Sequence, residues 1–156
     1  MRRAFTLIEL IFVILLIGVL SAVALPKFLG MRDNAKITSE LSTAASVQTA
    51  LDACHGEWVI DDGPFTCGAS IASDSADFND TAGYPNTLGS SDTSPLDKIL
   101  KNGKSLKWRK IGERYYGPAS DPDKGTDRCV AGKPCIGKCW EYDVAEGAFT
   151  LLESGC

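Results

Sequence analysis

The 156-residue chain contains a single histidine, His55. One imidazole leaves little room for histidine-based acid–base catalysis or a histidine-rich metal site, and a lone histidine at a helix end is ordinarily a polar surface residue. Positive charge is missing over a longer stretch: from Glu57 to Asp97 there are eight acidic residues and no lysine or arginine. Charge of either sign is nearly absent from Phe5 to Leu25, an apolar run of 21 residues interrupted only by Glu9. No nucleophile, base and orienting residue form a set above chance, so the chain does not read as an enzyme. The net charge of -4 argues against general nucleic-acid binding. What is present is one long hydrophobic segment, six cysteines and roughly 130 further residues, enough for one modest core.

At about 1.5 Å per residue the apolar run spans roughly the 30 Å hydrocarbon core of a bilayer. Arg2 and Arg3 precede it, so the positive-inside rule keeps Met1–Ala4 in the cytoplasm and places the bulk of the chain on the far side. A secretory signal would share these features, and Ala22-Val23-Ala24 offers a small-residue cleavage site. Against it, the run is longer than a usual signal core and Glu9 interrupts its apolar part. A carboxylate at that depth costs on the order of 2 to 3 kcal/mol unless it finds a partner, which marks Glu9 as a functional residue. Six cysteines beyond a membrane suggest an oxidising compartment in which they are paired.

Arg2-Arg3-Ala4 followed by Phe5-Thr6-Leu7-Ile8-Glu9-Leu10, then an apolar helix with Gly18 and Pro26, resembles the type IV pilin-like superfamily, which includes pilins and the pseudopilins of type II secretion. The resemblance covers about the first 30 residues. It implies a leader at 1–4, cut by a prepilin peptidase between Ala4 and Phe5, with methylation of the new N-terminus. Alanine before the cut departs from the glycine usual in the family. It also implies that Glu9 of one subunit pairs with the Phe5 amine of its neighbour, a pairing that physics favours because each charge alone is costly to bury. Residues 5–29 would be the membrane and assembly half of the N-terminal helix, with an inner-membrane assembly platform as partner, and Gly18 and Pro26 bracket a part that stretches or melts in such filaments. The bland reading of these two is a packing contact and a kink. The function implied is a structural subunit of a homo-oligomeric pilus-like filament, on the cell surface or spanning the periplasm. The alternatives are a secretion pseudopilin and, less favoured, a DNA-uptake pilin.

Beyond Pro26, Ile37, Leu41, Ala44, Ala45, Leu51 and Cys54 recur at helical spacing while Asp33, Lys36, Glu40, Ser46, Gln48 and Asp52 fill other faces. This predicts an amphipathic helix over 30–54, ended by His55-Gly56 and packed on a sheet. The fold expected is α+β: a long N-terminal helix on a small antiparallel sheet of three or four strands, with a globular part at 55–156. Within it, 57–97 reads as an exposed loop, and its Ser, Thr, Asp, Gly and Asn content from Gly68 to Pro95 suggests little regular structure. Asp77-Phe78-Asn79-Asp80-Thr81 contains an extended glycosylation acceptor pattern, a weak motif at Asn79.

Lys98, Lys101, Lys104, Lys107, Arg109, Lys110 and Arg114 are opposed between 98 and 114 only by Glu113. Alternation with Leu106, Trp108 and Ile111 suggests a strand with one buried face. Three readings compete for the basic stretch: a solvated face, docking on the acidic 57–97 segment of the same or an adjacent subunit, and DNA capture with Trp108, Tyr115 and Tyr116 stacking on bases. Asp121, Asp123 and Asp127 alternate in a turn and form a weak calcium candidate, calcium being a ligand of major pseudopilins; no other cofactor is expected. Cys139–Val144 and Ala148–Glu153 flank a glycine-containing turn and read as a β-hairpin. Sequence alone does not choose among the cysteine pairings. The expected set is Cys54 with Cys67, Cys129 with Cys135, and Cys139 with Cys156, the last resembling the C-terminal bridge of many pilins.

Overall fold

The computed structural model describes residues 6–60, 63–123 and 132–156, and for 25–29 the backbone alone. One helix, α1 (Leu7–Ile60), is followed by short strands β1 (Thr66–Cys67), β2 (Ile71–Ala72), β3 (Phe78–Asn79) and β4 (Tyr84–Pro85), and then by β5 (Arg109–Ile111), β6 (Arg114–Tyr116), β7 (Cys139–Asp143) and β8 (Ala148–Leu152). The first four form two separate antiparallel pairs, and the last four form one antiparallel sheet in chain order. The architecture is thus α+β, with a long N-terminal helix and small antiparallel sheets. The chain divides into two compact units, Met1–Ala35 and Lys36–Cys156.

In the second unit the buried stripe of α1 is Ile37, Glu40, Ala44, Val47, Leu51 and Cys54. These steps of three and four residues keep one face of a helix inward. Thr43, Ser46 and Thr49 lie on the exposed side and return their hydroxyls to the carbonyls of Ser39, Ser42 and Ala45. Val47 and Leu51 meet Trp108, Tyr115, Trp140 and Phe149 in the core, and burying each such aliphatic chain is worth about 1.5–3 kcal/mol. Trp140 stacks on Phe149 with ring centroids 5.4 Å apart.

Glu40 is a correction to the sequence reading, which put it on a polar face: it is 0% exposed. Its Oε2 accepts from the backbone N–H groups of Ala119 (2.7 Å) and Ser120 (3.0 Å), and its Oε1 from Ser120 Oγ (2.7 Å) and Trp140 Nε1 (2.7 Å). Ser120 Oγ in turn accepts from Gly117 N. Four donors give a buried carboxylate the satisfaction it needs. Gln48, two turns on, makes a second polar link: its Oε1 accepts from Phe149 N and its Nε2 donates to Gly147 O.

The helix also runs past His55-Gly56 to Ile60. Gly56 is not left-handed, and the added turn places Trp58 beside His55, which stacks on Tyr84. The segment expected as an exposed loop is largely folded: Ile71, Phe78, Leu88 and Leu96 are buried core residues. Its polar residues hold the turns, as Asn86 Nδ2 donates to the carbonyls of Ala76 and Phe78 and Asp97 accepts from Ser90. The predicted C-terminal hairpin is β7–β8, paired from Cys139↔Leu152 to Asp143↔Ala148. Asp143 Oδ1 accepts from Ala145 N in its turn, and Gly147 takes φ 64°. Trp108 is buried as alternation requires, but Ile111 is outward, at the β5–β6 turn.

Disulfides join Cys54 to Cys67 and Cys139 to Cys156, the pairings chosen from the sequence. Cys135 is also disulfide-bonded, while Cys129, its expected partner, lies outside the described residues.

Candidate functional site

Leu7–Ala24 is long and apolar enough to cross a membrane, with mean hydropathy 2.8 and none of it buried. Nothing lies within 4 Å of a β-carbon at Gly18, so its small side is not used within the chain. The helical backbone continues through Gly18 and Pro26 without interruption. Ala4 and Phe5, the residues of the expected cleavage, lie outside the described residues.

Glu9 has a local role that the sequence reading missed. Thr6 N and Thr6 Oγ1 both donate to Glu9 Oε2 at 3.3 Å, while Glu9 N donates to Thr6 Oγ1 at 3.4 Å. This reciprocal arrangement is a capping box, legible as Thr-x-x-Glu before an apolar run, and it satisfies backbone donors that a helix start leaves open. The second carboxylate oxygen, Oε1, takes no bond among the described residues. One oxygen therefore starts the helix and the other remains able to accept a donor.

The basic stretch is mostly consumed within the chain. Lys98 reaches Asp77 (2.6 Å) and Lys104 approaches Asp97 (4.0 Å), so part of it does meet the acidic segment of the same chain. Arg109 bridges Asp121 (2.7 Å) and Asp123 (3.0 Å), and Arg114 pairs with Glu141. Lys101 and Lys107 are exposed and have no ion pair among the described residues. The aromatic platform envisaged for DNA is not available, because Trp108, Tyr115 and Tyr116 are all buried. Burial, with Glu113 adding to it, pushes the Tyr115 phenol up to about 12. Asp121 and Asp123 converge on the Arg109 guanidinium, a poor fit to a calcium site, since a cation there would displace an existing positive partner. Asp127 lies outside the described residues. Asn79 ends β3 and is half-buried, and its Oδ1 accepts from Thr81 N and Ala82 N in the turn to β4.

The exposed apolar segment with its first-turn carboxylate falls within residues 1–25, which match the prokaryotic N-terminal methylation motif. Curated relatives make the likeness more particular. The chain is 46% identical over 48 residues to the type IV narrow pilus major component PilA5 of Thermus thermophilus, covering 31% of this chain and 41% of that protein. It is 30% identical over 99 residues to a type IV major fimbrial protein FimA of Dichelobacter nodosus, covering 54% and 64%. A further FimA of that organism is 32% identical over 54 residues, 35% of each chain. The chain thus spans less than two thirds of the length of each of these relatives. No solved structure matches it significantly.

Proposed function

We propose that the chain is a structural subunit of a type IV pilus-like filament, inserted in the inner membrane as a prepilin, cut between Ala4 and Phe5, N-methylated, and assembled through α1. The observation that carries this reading is the unburied apolar segment Leu7–Ala24 with Glu9 as its one carboxylate, inside the matched methylation motif. A surface of that kind needs lipid or other apolar helices to cover it. Glu9 Oε1, which takes no bond among the described residues, supports pairing with the amine of a processed neighbour, which would satisfy both charges and fix the stagger between subunits. The relatives are named as pilus and fimbrial major components, which supports the filament reading.

Mass analysis of the N-terminal peptide from the native host tests the first step. The expected species begins at methylated Phe5; a start at Leu25 would reduce the chain to a secreted domain and remove the filament reading. Electron microscopy of cells tests the second, with extended filaments expected. Short envelope-confined filaments together with a secretion defect would instead identify a pseudopilin.

A further inference from the structure

The buried stripe of α1 has a property that apolar packing alone cannot handle. Ile37, Ala44, Val47, Leu51 and Cys54 repeat at steps of three, four or seven residues. A helix slid by one turn, about 5.4 Å, therefore offers the sheet another apolar stripe of similar shape. Glu40 is the break in that repeat. In a slipped alignment Ile37 or Ala44 would face the Ala119 and Ser120 N–H groups, Ser120 Oγ and Trp140 Nε1, and neither side chain can accept a hydrogen bond. The displaced carboxylate would meanwhile be buried without donors.

We propose that Glu40 is a register-specifying residue, whose carboxylate selects one alignment of α1 on the head and so brings Cys54 to Cys67 before their disulfide closes. The cradle is shaped for this one side chain. The Gly117 backbone passes so close to the Glu40 carboxylate that a β-carbon there would overlap it. Gln48, with its links to Gly147 and Phe149, reinforces the same alignment from about two turns further along α1. Cys54 lies on the same stripe two heptads beyond Glu40, so a slip of one turn carries its sulfur away from Cys67 by far more than a disulfide can span. The covalent bond then preserves a choice made earlier by hydrogen bonds. This inference does not depend on the filament reading.

The test is oxidative refolding of the full chain in detergent micelles from the reduced, denatured state, with glutathione disulfide as oxidant. Closing the bridge transfers two electrons and two protons from the Cys54 and Cys67 thiols to glutathione disulfide, which leaves as two molecules of glutathione. Peptide mapping reads which cysteines are joined. Glu40→Leu is expected to keep the helix content of the wild type by far-ultraviolet circular dichroism. Its yield of the Cys54–Cys67 link should nevertheless fall about threefold or more, because competing alignments are no longer excluded. Moving the carboxylate one turn, in Glu40→Ala with Ala44→Glu, should lower that yield further. Glu40→Gln, which keeps one acceptor oxygen, should fall between wild type and Glu40→Leu. Wild-type yield and rate in Glu40→Leu would overturn the proposal. So would loss of helix content in both Glu40→Leu and Glu40→Gln, since that would make Glu40 a requirement for folding at all and not for choosing an alignment.

Discussion

At Gly117 there is no room for a β-carbon beside the Glu40 carboxylate. Gly117→Ala is therefore expected to cost about 1–3 kcal/mol by overpacking, read as a lower midpoint in chemical denaturation. Asp77 gives a residue-scale prediction in pH. The hydrogen bond from Lys98 Nζ, with the Lys98 charge behind it, holds the Asp77 carboxyl below its ordinary 3.8 against the opposing pull of burial. A depressed folded value means that the pair stabilises the fold above the unfolded value and loses that contribution as pH falls through the folded one. Asp77→Asn should thus be less stable than wild type near neutrality, and the deficit should close as pH falls below the ordinary carboxyl value of 3.8 and through the lowered folded one, as followed by thermal unfolding at several pH values. Single residues were the hardest features to read from sequence. Glu40 has the spacing of a core residue but the chemistry of a surface one, and its donors come from Ala119, Ser120 and Trp140, far along the chain. The Thr6–Glu9 cap, by contrast, is local and spelled out in four consecutive residues, and it was missed because a charge inside an apolar run draws attention to its partner and away from the helix start.

Elements were legible in proportion to their length. The five-residue strands β7 and β8 carry an alternation with a turn signal between them, and the hairpin forms where expected. Strands of two residues carry no period, so β1–β4 disappear in a polar, turn-rich segment whose buried members Ile71, Phe78, Leu88 and Leu96 are scattered singly. The end of α1 was misplaced because glycine after a helical stretch usually adopts the left-handed form, whereas Gly56 stays helical and the last turn positions Trp58. In the β7–β8 turn, Gly147 does have positive φ, and Tyr84 occupies the space its side chain would need. Gly147→Ala should destabilise by at least about 1–2 kcal/mol from backbone strain alone, measured as a lower midpoint of unfolding followed by tryptophan fluorescence.

For the whole molecule, the division between an apolar exposed helix and a disulfide-bonded head was readable from hydropathy and cysteine content, because both are sums over many residues. The basic stretch was readable only in part: docking on the acidic segment was one of its readings and Lys98 does pair with Asp77, but charge counts do not reveal that Arg109 and Arg114 are spent on Asp121, Asp123 and Glu141. The Cys139–Cys156 bridge closes a separation of 17 residues at the C-terminus. Replacing both cysteines by serine is expected to cost about 3 kcal/mol, as measured by denaturant titration under oxidising conditions, where the wild-type bridge stays closed.

The Thr6–Glu9 cap gives Glu9 a purpose separate from the proposed pairing, and the two can be taken apart chemically. Glutamine still supplies an acceptor oxygen to the cap but no charge, whereas leucine supplies neither. If Glu9 pairs with a neighbour's amine, Glu9→Gln should abolish extended filaments while the helix start remains intact, and Glu9→Leu should additionally fray the first turn. Hydrogen exchange at Glu9 and Leu10, whose N–H groups bond to Thr6, measures the fraying. Electron microscopy of the same two variants measures the pairing, so the difference between them separates how the helix begins from how one subunit recognises the next.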